Sequence, residues 1–409
     1  MLGIFENHHN LYSWFPKMEK TTFDVSLVHF LLMFGFKIFS LYYPLFLISN
    51  GFSILNVGSI YLLTYSVIAV SSIIINYYIH KLNPSKVASY GIAGYGIFAL
   101  LMLLGSNIYV FYFAQIVLGI SAAAWLVSLR LILMKSKTDS KSRSFGWFYS
   151  MPHYASAIAP LIGGVIILKF GFVGVFVLSV LIQFANAIYA YKRLNGNSLS
   201  SEKRISYKLP VKSLKKNYIK VFRIIKSDGT FVMILMSILT VLILGGIYRA
   251  FFVLFMEDLS FSETDIIRFI SVISVMYLPL SILLIKIIEK LRNKKIISGG
   301  IIIEGTVTII LGIFASVMNL FGLFVLMMID SLGAMAFASG KSSYLSKKFK
   351  DCQEEASTID TILTTLGPAI GALIGGIAIS HIGFQNTFLF GGITVFLLGV
   401  VSWFLKVKT

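Results

Sequence analysis

Cysteine is nearly absent, with one in 409 residues (Cys352), so no disulfide framework holds this chain together. Charge is scarce: Asp, Glu, Lys and Arg make up 13% of the residues, about half the share in a soluble domain, which excludes an ordinary soluble globule. No Gly-x-x-x-x-Gly-Lys-Ser/Thr loop is present to cradle a nucleotide phosphate, so direct ATP drive is not expected. His8 and His9 have no cysteine or acidic partner at ligand spacing, and no histidine cluster of a haem or quinone enzyme occurs. No metal, no cofactor and no enzymatic activity are therefore expected. What remains is apolar bulk. Hydrophobic residues make up 57%, and 35 Phe with 20 Tyr are far too many for a disordered chain.

That bulk comes in long blocks. No Asp, Glu, Lys or Arg occurs in the 43 residues 38–80, the 43 residues 87–129 or the 45 residues 361–405. A bilayer core about 30 Å thick takes about 20 helical residues to cross, so each block is two crossings and a turn. Asn50-Gly51, Gly105-Ser106-Asn107 and His381-Ile382-Gly383 sit where those turns fall. Continuous hydrophobicity without alternation excludes an outer-membrane barrel. The same length rule gives twelve spans, at 23–49, 54–79, 87–105, 108–134, 145–168, 172–191, 229–256, 264–288, 296–316, 318–345, 356–380 and 384–405. Residues 1–22 lack the apolar core of a cleavable signal peptide, which leaves targeting to span one.

Of the 35 basic residues, 29 lie in the N-terminus, 80–86, 135–144, 192–228, 289–295, 341–355 and the C-terminus, all on one side of this topology. By the positive-inside rule both termini are cytoplasmic, and a plasma-membrane location is expected. The formal charge of +18 is mainly topology; dispersed over seven segments, it does not form the single basic face that nucleic acid would need. The longest break holds Val211, Leu214, Tyr218, Phe222 and Ile225 at helical spacing, with lysines and arginines between them. Such a stretch either lies on an anionic membrane surface or forms a solvated tether. The chain divides into an N-terminal six-helix bundle (1–193), a basic cytoplasmic linker (194–228) and a C-terminal six-helix bundle (229–409).

The two bundles repeat each other. Gly51-Phe52-Ser53 faces Ser260-Phe261-Ser262, and the turn 80–86 faces 289–295, both at an offset of 209. Gly163-Gly164 matches Gly375-Gly376, Gly171-Phe172 matches Gly383-Phe384 and Phe176 matches Phe388, all at 212. Several pairs in one order make an internal duplication, and parallel repeats of this kind place a binding site near the midplane between the halves.

Over its whole length the sequence resembles the major facilitator superfamily. The family's loop signature after span two is occupied, in degenerate form, by Asn76, His80, Lys81, Asn83, Pro84 and Ser85, and its second copy by Glu289 and Lys290. Ala159-Pro160-Leu161-Ile162-Gly163-Gly164 is similar to the Gly-Pro-x-x-Gly-Gly signature of span five, with Gly367-Pro368-Ala369-Ile370-Gly371 in span eleven. Gln115-Ile116-Val117-Leu118-Gly119 looks like the end of a span-four signature linked in the family to proton coupling, without its arginine. The resemblance implies an all-α fold of two pseudo-symmetric six-helix bundles, a secondary transporter working by alternating access, and a monomer. It also implies that spans one, four, seven and ten line a central cavity, that His80, Lys81, Glu289 and Lys290 form cytoplasmic gate loops, and that Pro160, Gly163, Gly164 and Pro368 let helices bend.

An ionisable residue in mid-membrane costs about 2.5 to 3.5 kcal/mol on insertion scales and needs a reason to be there. Lys37, Arg130, Arg249 and Asp330 fall on spans one, four, seven and ten. With Gln115 they are the candidates for substrate binding or coupling. The competing expectation is an ion pair between Lys37 or Arg249 and Asp330 that ties the halves together, and Arg130 could instead snorkel into the headgroups. Glu304 in span nine and His29 in span one are candidates for proton coupling, against hydrogen-bonded packing roles. Three cations and one acid favour an anionic metabolite, carried with or without protons. The alternative is a multidrug–proton antiporter recognising cationic amphiphiles, and a remote one is a membrane sensor that transports nothing.

Overall fold

The computed structural model describes residues 19–79, 82–105, 107–136, 141–196, 226, 228–288, 293–348 and 353–404. His80, Lys81, Glu289, Lys290 and most of the basic linker lie outside them. The described chain is helical throughout, with no strand among those residues. Span one is two helices, Lys20–Ser40 and Tyr43–Ser49, split at Leu41 and Tyr42, with Pro44 in the first turn of the second, where its missing N–H costs nothing. Ile54–Tyr78, Pro84–Leu104 and Ile108–Lys135 follow as spans two to four. Their starts are set by side chains that accept orphan backbone N–H groups: Ser53 from Asn56, Asn83 from Ser85 and Lys86, Asn107 from Tyr109. Lys141–Gly196 holds spans five and six. In the second half come Gly229–Asp258, Glu263–Ile288, Asn293–Phe314, Leu320–Lys348 and Gln353–Phe404, the last holding spans eleven and twelve.

Nine helices among the described residues are long and apolar enough to cross a membrane. Two of them, Trp147–Leu194 with 48 residues and Leu363–Phe404 with 42, are twice the length of one crossing. Each is broken where expected, at Gly171 (φ 65°) and Gly383 (φ 79°), where only glycine adopts the left-handed conformation without strain. The nine helices thus supply eleven of the twelve expected crossings. The remaining one, Glu263–Ile288, is a helix of 26 residues that is not among the nine.

The duplication is visible in backbone detail. Gly51 and Ser260, 209 residues apart, both have positive φ (81° and 65°). Phe52 N–H donates to the Leu47 carbonyl at 3.1 Å, and Phe261 N–H to the Met256 carbonyl at 3.2 Å. Ser53 and Ser262 then cap the next helix alike, accepting from Asn56 and Asp265, both at 3.2 Å. A Cβ at Gly51 would touch nothing within 4 Å, so Gly51→Ala tests the backbone conformation alone. It is expected to destabilise by about 1 kcal/mol, read as a lowered unfolding temperature in detergent.

Within the first half, span one packs on spans five and six; within the second, span seven packs on spans eleven and twelve. The matched glycines hold these contacts: Gly163 meets Ile38, and Gly375 meets Ile247, again 209 residues on. The halves meet along spans two and eleven, where Gly58 abuts the Ala372 carbonyl, and along spans five and eight. At the latter seam Tyr42, fully buried, places its hydroxyl 2.9 Å from the Pro160 carbonyl, 3.4 Å from that of Ile267 and 3.2 Å from Ser271 Oγ. These contacts all lie towards the end of the bundle that carries turns 50–53 and 259–262. At the opposite end of span seven, Asp228 accepts from Phe231 N–H and from Lys348 Nζ at 2.7 Å. The Lys348 bond, with the help of that cap, holds its carboxyl below the usual carboxylate range.

Candidate functional site

Lys37 sits in the last turn of Lys20–Ser40, half-buried, and makes no hydrogen bond or ion pair with any described residue. Arg249 acts electrostatically on it, and its ammonium acts in turn on His153. Arg249, on span seven of the other half, is exposed, and its Nη1 lies 3.4 Å from the Tyr65 hydroxyl on span two. His153, on span five directly after Pro152, is exposed as well. These three groups, two from the first half and one from the second, form a cluster across the seam between the halves. Tyr61 and Tyr65, one helical turn apart, flank it with rings stacked 6.4 Å centre to centre, and Tyr43 lies 6.5 Å from Tyr61. The result is a cluster of nitrogen bases, Lys37, Arg249 and His153, beside a phenolic wall. No described carboxylate pairs with it.

Asp330 stands apart from this group. Its Oδ1 on span ten is buried without a hydrogen-bond partner, and its electrostatic neighbours are Glu304 on span nine and Tyr248 on span seven. No ion pair among the described residues joins Lys37 or Arg249 to Asp330. The halves are held instead by Tyr42 and by close glycine contacts. Glu304 is 7% exposed, and no described residue donates to its carboxyl; the bond at that position runs from Thr308 Oγ1 to its backbone carbonyl, at 2.7 Å.

The other sequence candidates lie inside the N-terminal half. Gln115 is 1% exposed and fully engaged: Thr64 donates to its Oε1 at 2.8 Å, and its Nε2 donates to the Tyr43 hydroxyl at 2.7 Å. It orients Tyr43, itself behind the phenolic wall, rather than facing the space between the halves. Arg130 packs over the Tyr149 ring at 5.5 Å, with Nε buried and unpartnered. His29 is 2% exposed, 2.9 Å from the Phe148 carbonyl through Nδ1, and wedged between the rings of Trp125 and Phe148 at 4.8 and 4.3 Å. That is the geometry of a packing residue. Pro160 offers its carbonyl to Tyr42, Gly164 lies against Ile267 of the other half, and Pro368 abuts Gly246.

Sequence reasoning missed His153, Tyr65 and Tyr42. His153 had a signal, a lone imidazole in an apolar run beside a proline. Tyr61 and Tyr65 had one too, since four-residue spacing puts both on one helix face. Tyr42 had none, because its partners come from spans five and eight.

A sequence profile of the Major Facilitator Superfamily matches residues 25–303 and again 246–409, so the chain belongs to that superfamily. It is a multi-pass membrane transporter with a small-molecule substrate. Among curated proteins it is 24% identical to multidrug resistance protein 2 of Bacillus subtilis (strain 168) over 327 residues, 77% of each chain. Among solved structures it is similar to a bacterial homologue of the human lysosomal transporter Spinster, in an inward-facing and occupied conformation, with a TM-score of 0.69 and 12% identity. It is likewise similar to a POT family transporter in complex with 5-aminolevulinic acid, with a TM-score of 0.72 and 14% identity. Each covers 93% of this chain and 94% of the relative. At such identities these two establish the fold.

Proposed function

We propose that this transporter moves a small organic anion by alternating access, bound between the halves by Lys37 and Arg249. One observation carries the reading: two cations from opposite halves are electrostatic neighbours, and no described carboxylate pairs with either. An unpaired ammonium at mid-membrane depth is costly, and a bound anion supplies the missing counter-charge. His153 adds a third nitrogen base, and Tyr65 supplies a hydroxyl beside the guanidinium. The basic segments favour both termini on the cytoplasmic side of the plasma membrane.

The curated relative favours a second reading, multidrug export, with Asp330 or Glu304 recognising lipophilic cations. Thermal unfolding of the purified protein against organic anions and lipophilic cations separates the two, because any ligand of the folded state raises its apparent stability. Stabilisation by anions, absent in Arg249→Gln, is the expected result. Stabilisation by lipophilic cations alone, lost in Asp330→Asn, overturns the anion reading in favour of export.

A further inference from the structure

The cationic site leaves the second charged group of the membrane region unused. Spans nine and ten cross at two glycines: a Cβ on Gly300 would lie 2.7 Å from both the Gly333 carbonyl oxygen and the Phe337 nitrogen. The helices run antiparallel, so one turn forward along span nine is level with one turn back along span ten. Those positions are Glu304 and Asp330. The close crossing therefore brings the two carboxyls near each other, and Asp330 acts electrostatically on Glu304. Neither receives a hydrogen bond from a described residue, Glu304 is 7% exposed, and Asp330 Oδ1 is buried with no partner.

From span seven the one titratable neighbour of the pair is Tyr248, whose hydroxyl is taken up by Thr308 Oγ1 at 3.0 Å. Span twelve packs against span nine through apolar Leu389 and Phe396. No described lysine or arginine makes an ion pair with either acid. Two ionised carboxylates confined together would repel each other and would each carry a membrane-insertion penalty. A bound proton removes much of both.

We infer that Glu304 and Asp330 form a proton-binding site within the C-terminal half, which takes up a proton from one aqueous phase and releases it to the other as the anion crosses. Span seven links this site to the anion site. Tyr248 lies against the carboxyl pair, and the next residue, Arg249, reaches across to Tyr65. The coupling role rests on the anion-transport reading above; the proton binding does not.

Two measurements test it on the purified full-length protein. Infrared titration follows the protonated-carboxyl band with pH. The wild type is expected to show a titrating band that loses intensity in Glu304→Gln and in Asp330→Asn and disappears in the double variant. A band unchanged in the double variant overturns proton binding at this pair. In liposomes, uptake of a labelled organic anion is then measured as counterflow at equal pH and as accumulation against its gradient, with acid on the entry side. Accumulation in each single variant is expected to fall at least about ten-fold more than counterflow, a difference of about 1.4 kcal/mol in coupling. Equal losses in both assays mark the acids as structural, and unchanged accumulation in the double variant overturns coupling. Absence of anion counterflow in the wild type would sink the transport reading, while the infrared result still decides whether the pair binds a proton.

Discussion

Lys37→Met is expected to abolish anion transport and at the same time raise the unfolding temperature of the unliganded protein. The two effects have one cause. The ammonium has no hydrogen-bond or ion-pair partner among the described residues. Methionine keeps an unbranched side chain of similar length and removes a charge worth about 2.5 to 3.5 kcal/mol of insertion penalty. Removing one member of a desolvated charge pair with the substrate costs about 2 to 5 kcal/mol, which weakens anion binding by roughly 30-fold to several thousand-fold. A structural lysine would behave oppositely, because breaking a buried pair destabilises. Parallel measurement of unfolding temperature and counterflow checks the sign. A lower unfolding temperature, or transport retained within about three-fold, would be incompatible with an unpaired ligand-binding ammonium.

Gly163→Ala is expected to be the most damaging single-methyl change in the protein. A Cβ at this position falls on the backbone carbonyl of Ile38, and backbone held between packed helices cannot step aside as a side chain can. Overpacking a core ordinarily costs about 1 to 3 kcal/mol through shifted side chains; here no side chain can shift, so a loss above about 4 kcal/mol is expected. That approaches the whole stability of a typical fold, about 5 to 15 kcal/mol. Gly245→Ala adds the same atom in span seven where nothing lies within 4 Å. It should be neutral or stabilising by up to about 1 kcal/mol from helix propensity. Monodisperse yield after detergent extraction, compared between the two variants, checks the difference. Similar yields would mean that spans one and five are further apart than described.

The crossings and turns were legible because both signals are local. Uninterrupted apolar length marks a crossing, and Gly171 and Gly383 interrupt the two longest helices where glycine chemistry indicates. The repeat was legible from turn residues, and Ser260 reproduces the Gly51 backbone without being a glycine. The site was only half legible. The cost of charge in hydrocarbon singled out Lys37, Arg249, Asp330 and Glu304, but sequence cannot tell which charges meet. Sorting them into a basic group and a separate carboxyl pair needed the close crossing of spans nine and ten at Gly300 and Gly333 and the seam between the halves. Gln115 shows the converse: a polar side chain in an apolar run drew attention, and it is engaged within its own half by Thr64, Tyr43 and the Phe111 carbonyl.

Gly171 joins spans five and six through a single residue, so the two crossings form one bent lever with no slack at its elbow. Both arms grip span one: Gly163 sits under Ile38, Gln183 donates to the Leu32 carbonyl and Asn186 to the Val28 carbonyl, each at 2.9 Å. The helix that carries Lys37 is thereby fastened to the arm whose Pro160 meets Tyr42 and Ser271 at the seam with span eight. Displacement of Lys37 by an arriving ligand is thus expected to reach the seam with span eight through helix contacts, with no intervening loop.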